Sequence, residues 1–440
     1  MKTARQTAFE ALLKIHKDGA YSNLVVDSAI KDNPDLSDRD RAFVTNLIYG
    51  TLDRLMLIDF NLSLYLNQPL KKLKPELHTI LRMGAYQILF MDKVPSHAAV
   101  SESVQLAKVN KSAFAASVVN AVLRRVSDNG VQYPDEDERS PKYLSIKYSC
   151  PEWLIELWIN SYGFDNAVAI AEKALEAPPL TVRVNNLKIT ADDLIWKLAA
   201  DGVVSEKVDG MDNILTLSNT GSVDDLMAYQ AGYFHAQDMA SRLCCEALDP
   251  KAGETVFDMC SSPGGKAFTA AEIMGNEGEI KAFDIYQSRV DLIRKGAEKL
   301  GITIINATLS DGTVFNENFG RADRILCDVP CSGLGVIRRK PEIRYRTAED
   351  IASLPPVQYA ILNNSARYLK DGGRMVYSTC TLNPAENEDV CDKFLASHPD
   401  FRAVEFLPDV HRHIPGYKYL TLMPHIHGTD GFFIAVFEKN

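Results

Sequence analysis

Residues 255–275 read TVFDMCSSPGGKAFTAAEIMG, and this stretch decides the fold. The apolar run 255–257 predicts a short buried strand, and residues 266–273 have the pattern of a helix that stops at Gly275. Between them, Gly264 and Gly265 let the backbone approach a ligand closely and present N–H groups at a helix start. A strand, a glycine-rich loop and a helix in this order are typical of a doubly wound α/β sheet.

The same alternation of short apolar runs and amphipathic segments continues to the end of the chain. It predicts further strands at 280–283, 302–306, 324–327, 374–377 and 431–439, and further helices at 287–300 and 348–369. Such a series indicates a Rossmann-like, mostly parallel sheet. Because ligands of these sheets bind outside the carboxyl ends of the strands, the residues that follow each strand are the first candidates for function.

The chain before this sheet has a different pattern. Residues 1–130 carry apolar residues at helical spacing and predict an all-helical domain, and the polar, acidic stretch 131–141 predicts a linker. Residues 142–235 mix helical and strand patterns and predict a small α+β module, which leaves 236–440 for the sheet domain. The module holds all three tryptophans, which we expect in its core, without a chemical role.

Composition excludes several classes of protein. With 440 residues, 46% hydrophobic and 24% charged, the chain resembles soluble globular proteins of two or three domains. No run approaches the roughly 20 apolar residues that span a bilayer, and the first ten residues lack a secretory signal. We therefore expect a cytoplasmic protein without membrane contact. Eight irregularly spaced cysteines indicate reduced thiols and no metal site.

The net charge of −10 argues at first against nucleic-acid binding. Residues 1–130, however, contain 17 Lys and Arg against 13 Asp and Glu, so the N-terminal part is locally basic. The cations Arg338, Arg339 and Lys340 lie in a second basic run, 338–346, which also contains two further arginines. All five cations suit the phosphates of an RNA strand, and we predict Arg338, Arg339 and Lys340 as the RNA-binding residues; an ordinary solvated loop is the alternative.

Acidic residues after the strands indicate the kind of cofactor. Asp284 ends the second strand, 26 residues after Asp258, near the spacing at which a carboxylate meets ribose hydroxyls, and Asp311 follows the third. A glycine-rich loop and a later acid suit dinucleotides as well as S-adenosylmethionine. The chain lacks the dinucleotide pattern G-x-G-x-x-G. It also lacks the phosphate-loop pattern, which ends in G-K-[ST], because Ala267 follows Lys266. Several acids suit a sulfonium cation better than a pyrophosphate.

Two cysteines stand directly after neighbouring strands, Cys331 in DVPCSG (328–333) and Cys380 in YSTCT (377–381). Cytosine C5 is too weak a nucleophile to accept a methyl group until a thiolate adds at C6, and a base must later remove the C5 proton. Either thiol suits the first task, and Asp328 is placed to hold the N3 edge of the base. The alternative is that the thiols are small buried apolar side chains.

At these residues the chain resembles a known family, the bacterial RsmB (Sun or Fmu) 16S rRNA cytosine-C5 methyltransferases. The resemblance runs through CSSPGGK (260–266), DVPCSGLGVIRRKPEI (328–343) and YSTCTLNPAENE (377–388). Residues 1–130 resemble the NusB-type RNA-binding domain that this family carries. The family implies S-adenosylmethionine as cofactor and 16S rRNA as substrate.

The resemblance also implies roles for single residues. Cys380 corresponds to the nucleophile and Cys331 to the cysteine that assists release of the product. The implied cofactor contacts are Cys260, Ser261, Ser262, Pro263, Gly264, Gly265, Lys266, Asp284, Asp311 and Asp328. Ser261, Ser262 and Val329 stand where alanine is frequent in the family, and none of these changes removes a functional group.

Two other functions are compatible with parts of the sequence. A nucleotide-dependent oxidoreductase would use the same kind of sheet, although the missing G-x-G-x-x-G and the paired thiols disfavour it. A non-catalytic RNA-binding factor would keep the fold without the chemistry, and the retained cysteines and acids disfavour that. We expect a monomer.

Overall fold

The computed structural model describes residues 2–110, 113–406 and 418–440. Contacts divide the chain into two compact units. The first comprises Met1–Ala177 together with Ile337–Arg346, and the second comprises Pro178–Val336 and Thr347–Asn440. No helix in the described ranges is long and apolar enough to cross a membrane.

The first unit is helical, and the apolar faces of its first seven α-helices form one core. The α-helices are α1 (Ala4–Asp18), α2 (Ser22–Lys31), α3 (Asp38–Asp53), α4 (Leu55–Ser63), α5 (Pro75–Phe90), α6 (Ser96–Val109), α7 (Ala116–Asn129), α8 (Pro141–Tyr148), α9 (Glu152–Tyr162) and α10 (Phe164–Lys173). Close packing explains Gly50 on α3, since a Cβ there would lie 1.9 Å from the hydroxyl oxygen of Tyr86 on α5.

The segment Ile337–Arg346, which contains the whole basic run, folds with these helices. Arg344 is fully buried, and its guanidinium donates to Asp53 Oδ1 at 2.9 Å and to the carbonyl oxygen of Ala174 at 2.9 Å. The basic run was expected to offer five cations to phosphates, and for Arg344 this is wrong, because its charge is used inside the core.

Helices α8 to α10 group with the first unit, although the sequence pattern places them in the small module 142–235. The division into 1–130, 131–141, 142–235 and 236–440 stays a prediction. The tryptophans behave differently from one another: Trp158 on α9 is buried as expected, whereas Trp196 is 78% exposed. The expectation of a core position for Trp196 is therefore wrong.

The second unit begins with a small antiparallel sheet of order β2-β3-β1-β4. Its elements are β1 (Leu180–Val184), α11 (Ala191–Ala200), β2 (Val204–Val208), β3 (Met211–Ser218), α12 (Met227–Gln230) and β4 (Phe234–Ala236). Helix α11 buries Leu194 and Leu198, one turn apart, against this sheet. Trp196 lies between them in sequence and therefore on the opposite, solvent-facing side.

The large sheet carries the predicted glycine-rich loop. Its elements are α13 (Met239–Leu248), β5 (Thr255–Asp258), α14 (Gly265–Ile273), β6 (Glu279–Asp284), α15 (Gln287–Leu300), β7 (Ile305–Leu309), β8 (Ala322–Asp328), α16 (Ala348–Ile351), α17 (Leu354–Ala366), β9 (Leu369–Thr379), α18 (Glu388–Ser397), β10 (Phe401–Val404), β11 (Leu420–Leu422), α19 (Pro424–His427) and β12 (Phe432–Lys439). The order is β10-β12-β9-β8-β5-β6-β7, and β11 pairs with β12. Strands β5 to β9 are parallel and β12 is antiparallel to β9. This confirms the predicted fold class.

Two predicted elements differ from the structure for local reasons. The third strand begins at Ile305 rather than at 302, because Gly301 adopts a left-handed conformation and the N–H of Ile302 returns to the carbonyl of Ala297 to end α15. The helix predicted at 348–369 is two helices, since prolines occupy the first turn of α17, where the ring is tolerated.

Candidate active site

The site lies at the point where the strand order of the large sheet reverses. Strand β5 is the midpoint: β6 and β7 follow on one side, and β8 and β9 on the other. Connections therefore leave the carboxyl ends of β5 and β8 in opposite directions and open a crevice between them, the usual ligand position in such sheets. The loop after β5 and the loop after β8 are both among those that the sequence singled out.

The loop after β5 is shaped to receive a ligand. Gly264 has a φ of +109°, and a Cβ there would lie 2.3 Å from the Phe268 ring, so only glycine fits. Beneath the loop, the Asp258 carboxylate and the Ser261 hydroxyl are buried close to each other, and neither makes a hydrogen bond of ordinary geometry within the described residues. Burial raises the pKa of the Asp258 carboxyl to about 7. Such unpartnered polar groups fit a polar, cationic cofactor.

Asp284 and Asp311 come together at the neighbouring strand ends. Asp284 is buried and its Oδ1 accepts from the N–H of Tyr286 at 3.0 Å. Ser310, the residue before Asp311, donates its N–H to the carbonyl of Asp284 at 3.0 Å. The Asp311 carboxylate is exposed and accepts from Thr313. Both acids are therefore on the β6–β7 side of the crevice, next to the glycine loop.

The two cysteines predicted to carry the chemistry are in contact. The Sγ atoms of Cys331 and Cys380 lie 3.3 Å apart, well beyond the disulfide bond length of about 2.05 Å. Both residues are partly exposed, unlike Cys327 and Cys391, which are buried. The hydrogen bond with Cys380, together with burial, raises the pKa of the Cys331 thiol well above its usual value.

Asp328 connects the thiols' side of the crevice with the glycine loop. Its Oδ2 accepts from Lys266 Nζ at 2.7 Å, and its Oδ1 accepts from the Ser378 hydroxyl at 2.8 Å. Burial lowers the pKa of the Lys266 ammonium, but attraction to Asp328, the hydrogen bond with it and the neighbouring thiols of Cys244 and Cys245 together raise that pKa. The Asp328 carboxylate is therefore held in one orientation between the glycine loop and the strand that ends at Cys380.

Sequence reasoning missed a buried polar cluster behind the thiols. Glu386 and Asn387, in the turn after Cys380, contact the loops of both cysteines through Ser332 and Thr381. The available signal was the density of amide and acidic side chains in LNPAENE (382–388). Within the described ranges, no group of three or more His, Cys, Asp or Glu is arranged to hold a metal ion.

The predicted RNA contacts are not in the same compact unit as the thiols. Arg338, Arg339 and Lys340 are half-buried residues of the helical unit, and Lys340 Nζ lies 5.8 Å from the centre of the Tyr21 ring. The structure thus brings together the loop 260–266, the three later acids and the two cysteines within the second unit, and the three cations belong to the first.

Family models match three segments of the chain. The model described as 16S rRNA methyltransferase RsmB/F matches residues 245–438, NusB family matches 2–128, and an RsmF/B-like ferredoxin-like domain matches 150–224. The probable ribosomal RNA small subunit methyltransferase B of Bacillus subtilis strain 168 is 40% identical over 99% of both chains. The chain belongs to the RsmB/F family of 16S rRNA methyltransferases.

Solved structures agree with this assignment to the RsmB/F family. The crystal structure of PH0851 has a TM-score of 0.85, 27% identity and 98% coverage of both chains. A methyltransferase homolog protein from Pyrococcus horikoshii has a TM-score of 0.58 and 30% identity, covering 68% of this chain and 98% of its own. The predicted family, the fold with its NusB domain, and the S-adenosylmethionine cofactor expected of an RsmB/F member are confirmed. Family membership also argues against the oxidoreductase alternative.

Proposed function

We propose that the protein transfers a methyl group from S-adenosylmethionine to C5 of a cytosine in 16S rRNA, through a covalent bond between Cys380 and C6 of the base. The observation that carries this proposal is the contact of Cys331 and Cys380, 3.3 Å apart, beside Asp328 at the crevice of the sheet. A single strand-end thiol has many explanations, whereas two in contact above a cofactor loop suit addition followed by elimination.

The cofactor is assigned to residues that surround the crevice on the β5 side. The loop 260–266 would hold it closely because Gly264 leaves no space for a side chain, and Asp284 and Asp311 would meet its ribose and purine. When bound, S-adenosylmethionine supplies an electrophilic methyl group. The buried Asp258 carboxylate and Ser261 hydroxyl would receive polar partners on binding.

The proposed chemistry begins with Cys380. Its thiolate forms an S–C6 bond and the electron pair of the C5=C6 bond moves to C5, which becomes the nucleophile for the methyl group; N3 takes up a proton from solvent and returns it when the double bond re-forms. Asp328, oriented by Lys266 and Ser378, holds the N3 edge. After transfer, Cys331 as thiolate removes the C5 proton, the C5=C6 double bond re-forms and the bond from C6 to the Cys380 sulfur breaks.

The direct test compares wild type with Cys380→Ala. Purified proteins are incubated with methyl-labelled S-adenosylmethionine and unmodified 16S rRNA, and the labelled base is identified after digestion. We expect wild type to produce 5-methylcytosine at one position and Cys380→Ala to lose at least about 1000-fold in rate, as for removal of a covalent nucleophile. Undiminished methylation by the variant would refute the mechanism. No methylation by wild type would support a non-catalytic RNA-binding factor.

A further inference from the structure

The turn after Cys380, residues 383–387 (NPAEN), contacts the loops of both cysteines. We propose that this clamp turn sets the distance between the two thiols, with Glu386 positioning Cys331 and Asn387 positioning Cys380. The inference rests on the proposed roles of the two cysteines. Neither clamp residue is assigned contact with base or cofactor, so both are positioning residues.

Glu386 holds the loop of Cys331. Its fully buried carboxylate accepts from the N–H of Ser332 at 2.8 Å and from the Ser332 hydroxyl at 2.5 Å. It also accepts from Gln358, whose amide donates in addition to the carbonyl of Pro330 at 3.0 Å. The residues on both sides of Cys331 are thus bound to one carboxylate, directly or through one amide.

Asn387 holds the loop of Cys380 in the same manner. Its Oδ1 accepts from the Thr379 hydroxyl at 2.6 Å, and its Nδ2 donates to the carbonyl of Thr381 at 3.0 Å. These two threonines flank Cys380, and both are fully buried, as is Asn387. Adjacent residues of one turn therefore hold the two cysteine loops separately.

The two loops are also joined to each other. The hydroxyls of Ser332 and Thr381 lie 2.7 Å apart, and the N–H of Gly335 donates to the carbonyl of Cys380 at 2.9 Å. Since the Ser332 proton goes to Glu386, the Thr381 hydroxyl is the donor in its pair. A Cβ at Gly335 would lie 2.0 Å from the carbonyl of Gly431, so this approach requires glycine.

The unfavourable free energy of burying such a polar cluster indicates that the cluster serves the site. Burying a carboxylate is unfavourable unless donors satisfy it, and a satisfied buried network is rigid. The rigidity is located between two sulfurs that, in the proposed reaction, must reach C6 and the C5 proton of one base. A displacement of about 1 Å in such an arrangement costs on the order of 100-fold in rate.

The test separates the two steps of the reaction in Glu386→Gln and Asn387→Ala. Each variant is mixed with S-adenosylmethionine and unmodified 16S rRNA, and both methyl transfer and denaturant-resistant protein–RNA adduct are followed with time. In Glu386→Gln an amide faces the two donors of Ser332, and this disturbs the loop of Cys331, the cysteine that serves release. We therefore expect the adduct to form at nearly the wild-type rate and then to accumulate. In Asn387→Ala we expect adduct formation to slow by about 100-fold without accumulation.

A matched control is Asn61→Ala in the helical unit, another fully buried asparagine with hydrogen bonds to the backbone. Asn61→Ala should lower the unfolding midpoint and leave the rates of both steps unchanged. In the two clamp variants, the affinity for S-adenosylmethionine should stay within twofold of wild type. If Glu386→Gln does not fold, Ser332→Ala removes the hydroxyl link and keeps the N–H donor, and it should accumulate adduct to a smaller extent.

Equal slowing of both steps in both clamp variants would overturn the inference and leave a structural role only, as would wild-type behaviour of both. Failure of the proposed function looks different. In that case Cys380→Ala would keep its activity, and wild type would form no adduct under any condition.

Discussion

At the scale of single residues, the contact between the two thiols affects their ionisation. The hydrogen bond with Cys380 is the largest reason why the pKa of Cys331 is raised. Once the Cys380 sulfur is bonded to C6, it has no S–H and cannot carry the charge of a thiolate, so its contribution to the raised pKa of Cys331 becomes smaller, whereas burial continues to raise that pKa. We infer that Cys331 ionises more readily after the adduct has formed than before. This gives a physical reason for the order of roles that the residues alone left open.

The first prediction follows from that order. Cys331→Ala should form the adduct but release it slowly, because addition needs only Cys380 whereas elimination needs a base at C5. We expect a denaturant-resistant protein–RNA species that accumulates to near stoichiometry and disappears in the double variant with Cys380→Ala. Gel electrophoresis of the labelled RNA under denaturing conditions measures it. Rapid turnover without such a species would assign release to another group.

The second prediction concerns Asp258, whose pKa burial raises to about 7. Below that pH the carboxyl is protonated in the free protein, and binding of a cation favours the ionised form. Affinity for S-adenosylmethionine should therefore increase about tenfold from pH 6 to pH 8 and level off above. Titration calorimetry of wild type and Asp258→Asn tests this: the variant should bind with little pH dependence, and an equal dependence in both would exclude Asp258 as the cause.

At the scale of elements, the strands and helices of the large sheet were predictable because each is local. The strand at Thr255–Asp258, the glycine turn and the helix stop at Gly275 depend on neighbouring residues only. The carboxyl-end rule then located the cysteines and acids without coordinates. What local pattern cannot supply is long-range pairing: the antiparallel partner of β9, or the burial of Arg344 against Asp53, joins residues far apart in the chain.

The clamp turn shows the same limit within the site. Glu386 reaches Ser332, 54 positions earlier, and no periodicity connects the two. Cys331 and Cys380 are also far apart in sequence, but each follows a strand of the same parallel sheet, and this common position made their proximity predictable. Polar residues that meet through turns have no such rule, so the sequence predicted the proposed reacting groups and not the residues that support them.

The third prediction belongs to the small sheet and helix α14. Gln237, just after β4, donates to the carbonyl of Gly265 at 3.1 Å and shares hydrogen bonds with Thr269, and Arg183 on β1 pairs with Glu272 at 2.9 Å. The small sheet thus supports the start of the cofactor helix. Gln237→Leu should weaken S-adenosylmethionine binding roughly fivefold to tenfold, the value of about one hydrogen bond, with rRNA affinity unchanged.

The control for this prediction is Lys188→Met. Lys188 donates to the carbonyl of Lys299 at 2.8 Å, so it joins the same small sheet to the end of α15 without contacting the cofactor loop. Its cofactor affinity should match wild type. Equal weakening in both variants would point to a general loosening of the module rather than to support of the loop.

At the scale of the whole molecule, the chain passes between its two units three times. It leaves the helical unit after Ala177, returns to it for Ile337–Arg346, and leaves again at Thr347. Buried Arg344 and the hydrogen bond of Tyr345 to the carbonyl of Leu52 hold the returning segment in the helical unit. The cations that begin this segment therefore belong structurally to the locally basic part of the chain, within a stretch that the methyltransferase family model covers.

The last prediction tests whether that segment binds rRNA. Replacing Arg338, Arg339 and Lys340 together by Gln should raise the KM for rRNA and leave S-adenosylmethionine affinity unchanged, because phosphate contacts contribute to RNA binding only. Each lost contact to a single strand lowers the slope of log K against log salt by about 0.7, so the slope should decrease by about 2. A control variant, Lys295→Gln with Lys370→Gln and Arg402→Gln, removes three cations of the second unit. If the slope of log K against log salt is smaller in the control than in the Arg338–Lys340 variant, the control has lost more phosphate contacts. The contacts would then lie in the second unit, and residues 338–340 would be an ordinary solvated loop.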